Sequence, residues 1–181
     1  MNRYSVTFLA LLSFLVTASF AHALELPKVG TFEVKRVKDL NILYVRHQET
    51  EGHISNTLIK LIQYYLLRDD GSFEVVFPQL SIESSVMKGR YYAIGYIGNP
   101  VETEIVKTTT LKGGLFASYI FQGNYKYISK GIRKAFQQAL KTGKYVPHDK
   151  EEIRLLYWNS IDDNHPKHLI TEIQVRVSKL P

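Results

Sequence analysis

Apolar residues recur at spacings of three and four between residues 128 and 140, the pattern of a helix that buries one face. An apolar run with strand propensity, residues 115–121, precedes this segment, and Gly143 follows it, where glycine commonly ends a helix. The order therefore predicts a strand, a tight turn and an amphipathic helix. The apolar positions of the helix are Ile128, Ile132, Ala135, Phe136, Ala139 and Leu140.

The same helical pattern occurs at a constant offset of 74 residues toward the N-terminus. Polar residues match at this offset as well, since Ser55 aligns with Ser129 and Gln63 aligns with Gln137. Because one gapless offset aligns apolar and polar residues alike, we interpret the chain as an internal duplication. The apolar residues of the earlier copy are Ile54, Leu58, Leu61, Ile62, Tyr65 and Leu66.

Short apolar segments separated by turn residues flank both helices, which is typical of strands. Each repeat has the order strand-strand-helix-strand-strand, the first at about residues 31–98 and the second at about 104–177. The sequence therefore predicts an α+β fold. Antiparallel strands from two pseudosymmetric halves should carry both main helices on one face and leave a cleft between the halves. The predicted strands are residues 32–37, 42–45, 80–87, 90–97, 104–111, 115–121, 153–158 and 169–177.

The first 23 residues have the organisation of a secretory signal peptide. Arg3 precedes an apolar run at residues 8–20, and Ala21-His22-Ala23 places small residues on both sides of a histidine before a cleavage site. The run is shorter than the roughly 20 residues that a membrane-spanning helix needs. We therefore expect cleavage after Ala23, a single mature domain at residues 24–181, and a periplasmic or secreted location. The alternative is an uncleaved membrane anchor.

The composition excludes several kinds of site. The chain has no cysteine, which excludes disulfides, thiol nucleophiles and thiolate metal sites. Its formal net charge of +6 is spread along the chain, so we interpret it as a source of solubility, with attraction to anionic partners or a membrane surface as the alternative. We expect no bound metal, because the sequence indicates no third ligand near His165 and His168. We also expect no cofactor, because phosphate-binding glycine motifs are absent.

Side chains alternate between the two faces of the last predicted strand, residues 169–177. One face is almost purely apolar and should pack beneath the helices. The other face carries Glu172, which is either an ordinary solvated carboxylate or part of the cleft between the halves. The apolar face consists of Leu169, Thr171, Ile173, Val175 and Val177, and the other of Ile170, Glu172, Gln174 and Arg176.

Tyrosines concentrate on the predicted strands and turns, beside the only tryptophan of the chain. A tyrosine side chain combines a flat apolar ring with a hydroxyl group, which suits a half-wet pocket for flat or cationic molecules. The alternative is that these residues are large strand formers that fill the core. The candidate ligand-binding residues are Glu172, Tyr157, Trp158, Tyr119, Tyr91 and Tyr125.

Three segments, taken in order, resemble motifs of the GyrI-like group, which includes the effector-binding domains of AraC- and MerR-type multidrug regulators. They are the turn Phe-Gln-Gly-Asn-Tyr at 121–125, Tyr-Trp-Asn at 157–159 and Thr-Glu-Ile-Gln-Val at 171–175. The resemblance covers about residues 31–177. It implies a small-molecule-binding domain in which Glu172 lies in the ligand cleft. The chain departs from the group at Phe121, where many members have His, so no role of that His is carried over.

Three functions are consistent with these observations. The first is an exported binding protein in which Glu172 anchors a lipophilic or cationic ligand within an aromatic cleft. The second, implied by the resemblance to GyrI-like hydrolases of cyclopropane-bearing toxins, is hydrolysis with Glu172 activating water and Tyr157 holding the proton of the leaving group. The third is a non-catalytic envelope interaction module. We expect no nucleic-acid partner, because no helix-turn-helix pattern is evident.

Overall fold

A computed structural model describes most of the predicted repeats. The predicted signal peptide, residues 1–23, lies outside the described residues, and so does the start of the first predicted helix, residues 54–59. The described residues are 26–46, 60–61, 63–65, 67, 71–84, 89–148, 152–159 and 165–181.

The described part of the chain contains nine strands and one helix with defined bounds, α1, and residues 60–61 and 63–65 are also helical. Tyr125–Tyr127 and Pro166–His168 form single 3₁₀ turns. The strands are β1 (Phe32–Val37), β2 (Leu40–Arg46), β3 (Phe73–Ser84), β4 (Gly89–Gly98), β5 (Lys107–Leu111), β6 (Gly114–Gln122), β7 (Tyr145–Pro147), β8 (Glu152–Tyr157) and β9 (Ile170–Lys179), and α1 is Ile128–Lys141.

The strands form an antiparallel arrangement whose order is symmetric. Eight of them follow the order β1-β6-β9-β8-β3-β4-β2-β5, and β7 pairs with β9. Exchanging β1 with β5, β2 with β6, β3 with β8 and β4 with β9 reverses this order and keeps every pairing among these eight strands. The predicted α+β fold with antiparallel strands is therefore confirmed. The origin of the symmetry in a sequence duplication stays a prediction.

Two short turns force the sheet to curl. Residues 38–39 join β1 to β2, and residues 112–113 join β5 to β6, although the strands of each pair lie near opposite ends of the sheet. The two turns are in contact: the Gly113 N–H donates a hydrogen bond to Asp39 Oδ1 at 2.8 Å. A Cβ atom at Gly113 would overlap the carbonyl of Val37, so glycine permits this approach. The curl gives the sheet a concave face.

The helices cover the opposite face, which we call the helix face. Ala135 of α1 packs against Ile173 and Val175 of β9, and all three are fully buried. The helical residue Leu61 is buried in one cluster with Leu43 of β2. The strand register places the Leu43 side chain on the helix face. The prediction that helices cover one face of the sheet is confirmed for the described helical residues.

Two strands begin three or more residues away from the predicted start. β3 begins at Phe73 instead of residue 80 and contains Pro78 at an irregularity, because the register shifts between Val76 and Gln79. Proline has no N–H to donate, so a sheet admits it where the ladder is already interrupted. β5 begins at Lys107 instead of residue 104, because the preceding residues form a loop in which Glu102 Oε1 accepts from the Thr108 N–H at 2.8 Å.

The strand β7 was not predicted from the sequence. It has only three residues and is separated from α1 by a turn that contains Gly143, which adopts a positive φ of 64°. Three residues are too few to show an alternating pattern, and one of them is Pro147, which disfavours a strand assignment. Within the described ranges, no helix is long and apolar enough to cross a membrane.

Candidate functional site

Glu172 is a buried carboxylate on the concave face. It lies near the start of β9, in register with Ile120 of β6 and Leu156 of β8, and only 2% of its surface is exposed. Its neighbours along the strand, Thr171 and Ile173, point to the helix face because strand side chains alternate. The expectation of an ordinary solvated carboxylate, one of the two sequence-based alternatives, is therefore wrong.

Three donors converge on one oxygen of this carboxylate. Oε1 of Glu172 accepts hydrogen bonds from Ser118 Oγ at 2.8 Å and from Gln174 Nε2 at 2.7 Å, and it lies 2.8 Å from Lys35 Nζ. Among the residues that the structure describes, none donates to the other oxygen, Oε2. The carboxylate is therefore held rigidly through Oε1 and keeps an oxygen for a further partner.

The network keeps Glu172 ionised. Burial by itself raises the pKa of this carboxyl, but the hydrogen bonds from Gln174 and Lys35, the charge of Lys35 and the Ser118 hydroxyl outweigh it, so the pKa lies below its ordinary value of 4.5. Burial lowers the pKa of Lys35, yet its contacts with Glu172 and Glu33 raise it above 10.5 overall. Both partners of the ion pair are charged at neutral pH.

Lys35 is the exposed member of this pair and has a second partner. Its Nζ lies 3.0 Å from Glu33 Oε1, two residues earlier on the same face of β1. The side chains of Lys35 and Glu33 are 36% and 54% exposed, whereas that of Glu172 is 3% exposed. The ammonium group thus bridges a buried and a solvated carboxylate at the edge of the sheet.

Two arginines close the concave face beside this network. Arg154 of β8 lies in register with Gln174, is fully buried and donates through Nη2 to the carbonyl of Lys112 at 2.7 Å. The Arg176 side chain donates to the same carbonyl at 2.8 Å, and both guanidinium groups lie within 5 Å of the centre of the Phe116 ring. This cluster fastens the 112–113 turn to the sheet and closes one side of the Glu172 site.

The sheet separates three of the predicted aromatic site residues from Glu172. Tyr119 is in register with Ile173 and packs beneath α1, and Tyr157 is in register with Thr171. Tyr125 meets Tyr157 edge to face, with ring centres 5.0 Å apart, and burial raises its pKa to about 12. These three tyrosines lie on the helix face or at its end, so the carboxylate and phenol considered for hydrolysis, Glu172 and Tyr157, point to opposite sides of the sheet.

The other two predicted aromatic residues lie on the same face as Glu172. The backbone N–H of Trp158 donates to the Ile170 carbonyl at 3.0 Å, which continues the β8–β9 ladder and places Trp158 one position along the concave face from Glu172. Tyr91 is on β4, three strands away, which corresponds to about 14 Å along the sheet. Its ring packs edge to face against Tyr44 at 5.4 Å.

Sequence reasoning did not find the partners of Glu172. Gln174 was assigned to the correct face of its strand, but Ser118 and Lys35 lie on β6 and β1, and their proximity depends on the β1-β6-β9 pairing. For Lys35, the local pattern shows only that Glu33 and Lys35 share one face of a strand. It became informative only when the neighbouring strands were known.

The fold and this site define a small α+β domain with a curled antiparallel sheet, helices on its convex face and a buried ionised carboxylate on its concave face. The chain belongs to the family of GyrI-like small molecule binding domains, whose model matches residues 30–178. The family assignment made from the sequence motifs is confirmed. No curated protein sequence matches the chain.

Solved structures share the fold at low sequence identity. EcmrR in its DNA complex within EcmrR-RPo is 12% identical with a TM-score of 0.65, and the match covers 98% of this chain and 67% of that one. A hydrolase encoded by lin2189 from Listeria innocua is 15% identical with a TM-score of 0.62, covering 89% and 96%. The EcmrR C-terminal domain is 14% identical with a TM-score of 0.61, covering 84% and 100%. These likenesses establish the common fold.

Proposed function

We propose that this protein binds a small organic cation on the concave face of its sheet, with Glu172 as the anionic anchor. The observation that carries the proposal is the state of this carboxylate: it is 2% exposed, ionised and held through Oε1, while no described residue donates to Oε2. Ser118 and Gln174 hold Oε1 in place before a ligand arrives, which reduces the ordering that binding requires.

The chemistry of the face favours a flat, positively charged ligand. A desolvated carboxylate interacts strongly with a cation, since its charge is screened less than it is in water. Trp158 lies beside the anchor on the same face, and an indole ring attracts organic cations through its π system. A ligand that combines an aromatic system with a permanent positive charge would use both features.

Hydrolysis finds less support in the geometry, although a structural neighbour from Listeria innocua is described as a hydrolase. The catalytic pair considered from the sequence requires Glu172 and Tyr157 to approach the same substrate. The register places Leu156 beside Glu172 and Tyr157 beside Thr171, so the two functional groups face opposite sides. We therefore propose binding as the function of this site.

The proposal is tested with a matched pair of probes, N-methylacridinium and acridine, which have nearly the same shape but differ in charge at neutral pH. Calorimetry should show that the cation binds the mature protein more tightly than the neutral probe. Glu172→Gln should weaken cation binding by about 10-fold or more, as expected when a poorly solvated opposite charge is lost, and leave acridine binding nearly unchanged.

Glu104→Gln is the matched control, because Glu104 is exposed and the substitution changes the net charge by the same amount. It should leave both affinities unchanged. Equal loss of cation binding in both variants would show a general charge effect and would overturn the anchor role. If neither the wild type nor any variant binds either probe, the result would instead favour the interaction-module alternative.

We also infer that the protein is exported, on the basis of Arg3, the apolar run at 8–20 and the Ala21-His22-Ala23 segment. The native protein should then begin at Leu24. N-terminal sequencing of protein recovered from the cell envelope or the medium measures this directly. A chain that retains Met1 and fractionates with the cytosol would contradict export.

A further inference from the structure

We propose that Lys35 is a tethered competitor for the cation position at Glu172, and that it sets the affinity of the site for cations. The inference rests on the proposed function of the site and adds a specificity-determining residue to it. A ligand must displace the Lys35 ammonium group from the carboxylate, and Glu33 receives this group when it leaves.

The geometry already contains both positions of the exchange. Lys35 Nζ lies 2.8 Å from Glu172 Oε1 and 3.0 Å from Glu33 Oε1, so the ammonium contacts the buried and the solvated carboxylate at the same time. Its side chain is 36% exposed, and β1 is the last strand on its side of the sheet. Movement toward Glu33 therefore needs a change of side-chain rotamer and no change of the backbone.

Electrostatics makes the ammonium and an incoming cation exclude each other. The two oxygens of one carboxylate are about 2 Å apart, so a cation at Oε2 would lie within a few ångströms of the Lys35 ammonium at Oε1. Like charges at this separation repel strongly where solvent screening is reduced. The Lys35 ammonium at Oε1 therefore opposes the binding of a charged ligand group at Oε2.

The loss of Lys35 from the carboxylate leaves both groups with partners. Ser118 and Gln174 continue to donate to Glu172 Oε1 at 2.8 and 2.7 Å, so the carboxylate keeps two hydrogen bonds. Lys35 keeps its contact with Glu33 and gains solvent. Displacement therefore moves one ammonium group from Glu172 to Glu33. The affinity of the site for a cation depends on how strongly each of these two carboxylates holds the ammonium group.

This arrangement predicts opposite effects for two neighbouring substitutions. Lys35→Gln removes the competitor and should tighten N-methylacridinium binding by about fivefold, the factor expected when a half-exposed ion pair no longer occupies the site. Glu33→Gln removes the alternative acceptor and should weaken binding by about threefold, because Lys35 then pairs with Glu172 more of the time. Acridine, the neutral probe, should respond to neither.

Two controls separate this mechanism from a general charge effect. Arg36→Gln makes the same charge change as Lys35→Gln at the next residue of β1, whose side chain is exposed and points to the other face, and it should alter the affinity by less than about 1.5-fold. In the Lys35→Gln background, Glu33→Gln should no longer weaken binding, since its effect acts through Lys35. Lys35→Met provides a second variant without the charge if Lys35→Gln fails to fold.

The outcomes distinguish this inference from the proposed function. If binding depends on Glu172 but Lys35→Gln leaves it unchanged or weakens it, Lys35 is not a competitor, and the binding proposal stands alone. If Lys35→Gln and Arg36→Gln tighten binding equally, long-range charge explains the result and the inference fails. If no variant binds the cation, Lys35→Gln included, the proposed function is wrong and the inference falls with it.

Discussion

The two faces of β9 are buried to the same extent by different means. On the helix face, Ile173 and Val175 are fully buried beneath α1 by apolar contacts. On the concave face, Glu172 and Gln174 are 2% and 4% exposed, and they are covered by a network of hydrogen bonds and an ion pair. Neighbouring residues of one strand thus differ in chemistry although they hardly differ in exposure.

The difference assigns separate roles to the two faces of β9. Apolar packing is not directional and tolerates few changes of volume, so the helix face supports the fold. A buried polar network costs desolvation and adds little net stability, so its presence opposite a well-packed face points to a use other than folding. The following predictions test whether stability and binding divide between the faces in this way.

The largest expected effect is on the helix face. Ile173→Ala should lower the free energy of unfolding by about 2–5 kcal/mol, because the lost side chain leaves a cavity between β9 and α1. Urea unfolding followed by circular dichroism measures the change. The affinity for N-methylacridinium, determined under conditions where the variant is folded, should stay within about twofold of the wild-type value. A large loss of affinity would show that the two faces are not independent.

A smaller effect is expected at Gly131, where α1 contacts β9. Gly131 lies in this contact, and an added Cβ would overlap Ile173 Cδ1 and lie 2.9 Å from Phe121 Cδ2. Alanine favours the helix by about 1 kcal/mol, but overpacking costs about 1–3 kcal/mol, so Gly131→Ala should be destabilising by a net 0–2 kcal/mol, roughly.

Ile173→Val tests the cause of this effect, because valine lacks the Cδ1 atom that the new methyl group would meet. In the Ile173→Val background, Gly131→Ala should be less destabilising than in the wild type, although the contact with Phe121 remains, and the coupling between the two changes is read from a double-mutant cycle in urea. Additive effects would mean that the close approach at Gly131 is not set by Ile173.

Much of the helix face could be predicted from the sequence. The alternation in residues 169–177 is sufficient to place Ile173, Val175 and Val177 under a helix, and the 3.6-residue periodicity of residues 128–140 identifies that helix. Both signals are local, because a strand and a helix repeat over short distances. The assignment of a whole face therefore needs no knowledge of strand order.

The concave site could be predicted only in part. Alternation places Glu172 opposite the packed residues, but its burial and its contact with Lys35 depend on pairing between strands that are far apart in sequence. The same limit explains the tyrosines. The motif around Tyr157 indicates a functional residue, whereas register places this side chain beside Thr171 on the helix face. Local patterns identify faces, and tertiary pairing determines which side chains meet.

The smallest expected effect on stability is the acid dependence that Glu172 contributes. Its pKa is lower in the folded protein than the ordinary 4.5, so its contribution to stability is present above about pH 4.5 and is lost as the pH falls through the lowered value. Glu172→Gln cannot titrate. The wild-type free energy of unfolding should therefore approach that of Glu172→Gln as the pH decreases from about 6 to 3. The control Glu104→Gln should keep the pH dependence that Glu172 contributes.

The amplitude of this pH effect should be smaller than the effect of Ile173→Ala, because Lys35 is half-exposed and its pairing is screened by solvent. Urea unfolding across this pH range measures the difference, and a constant gap between the wild type and Glu172→Gln would show that the network does not lower the pKa of Glu172.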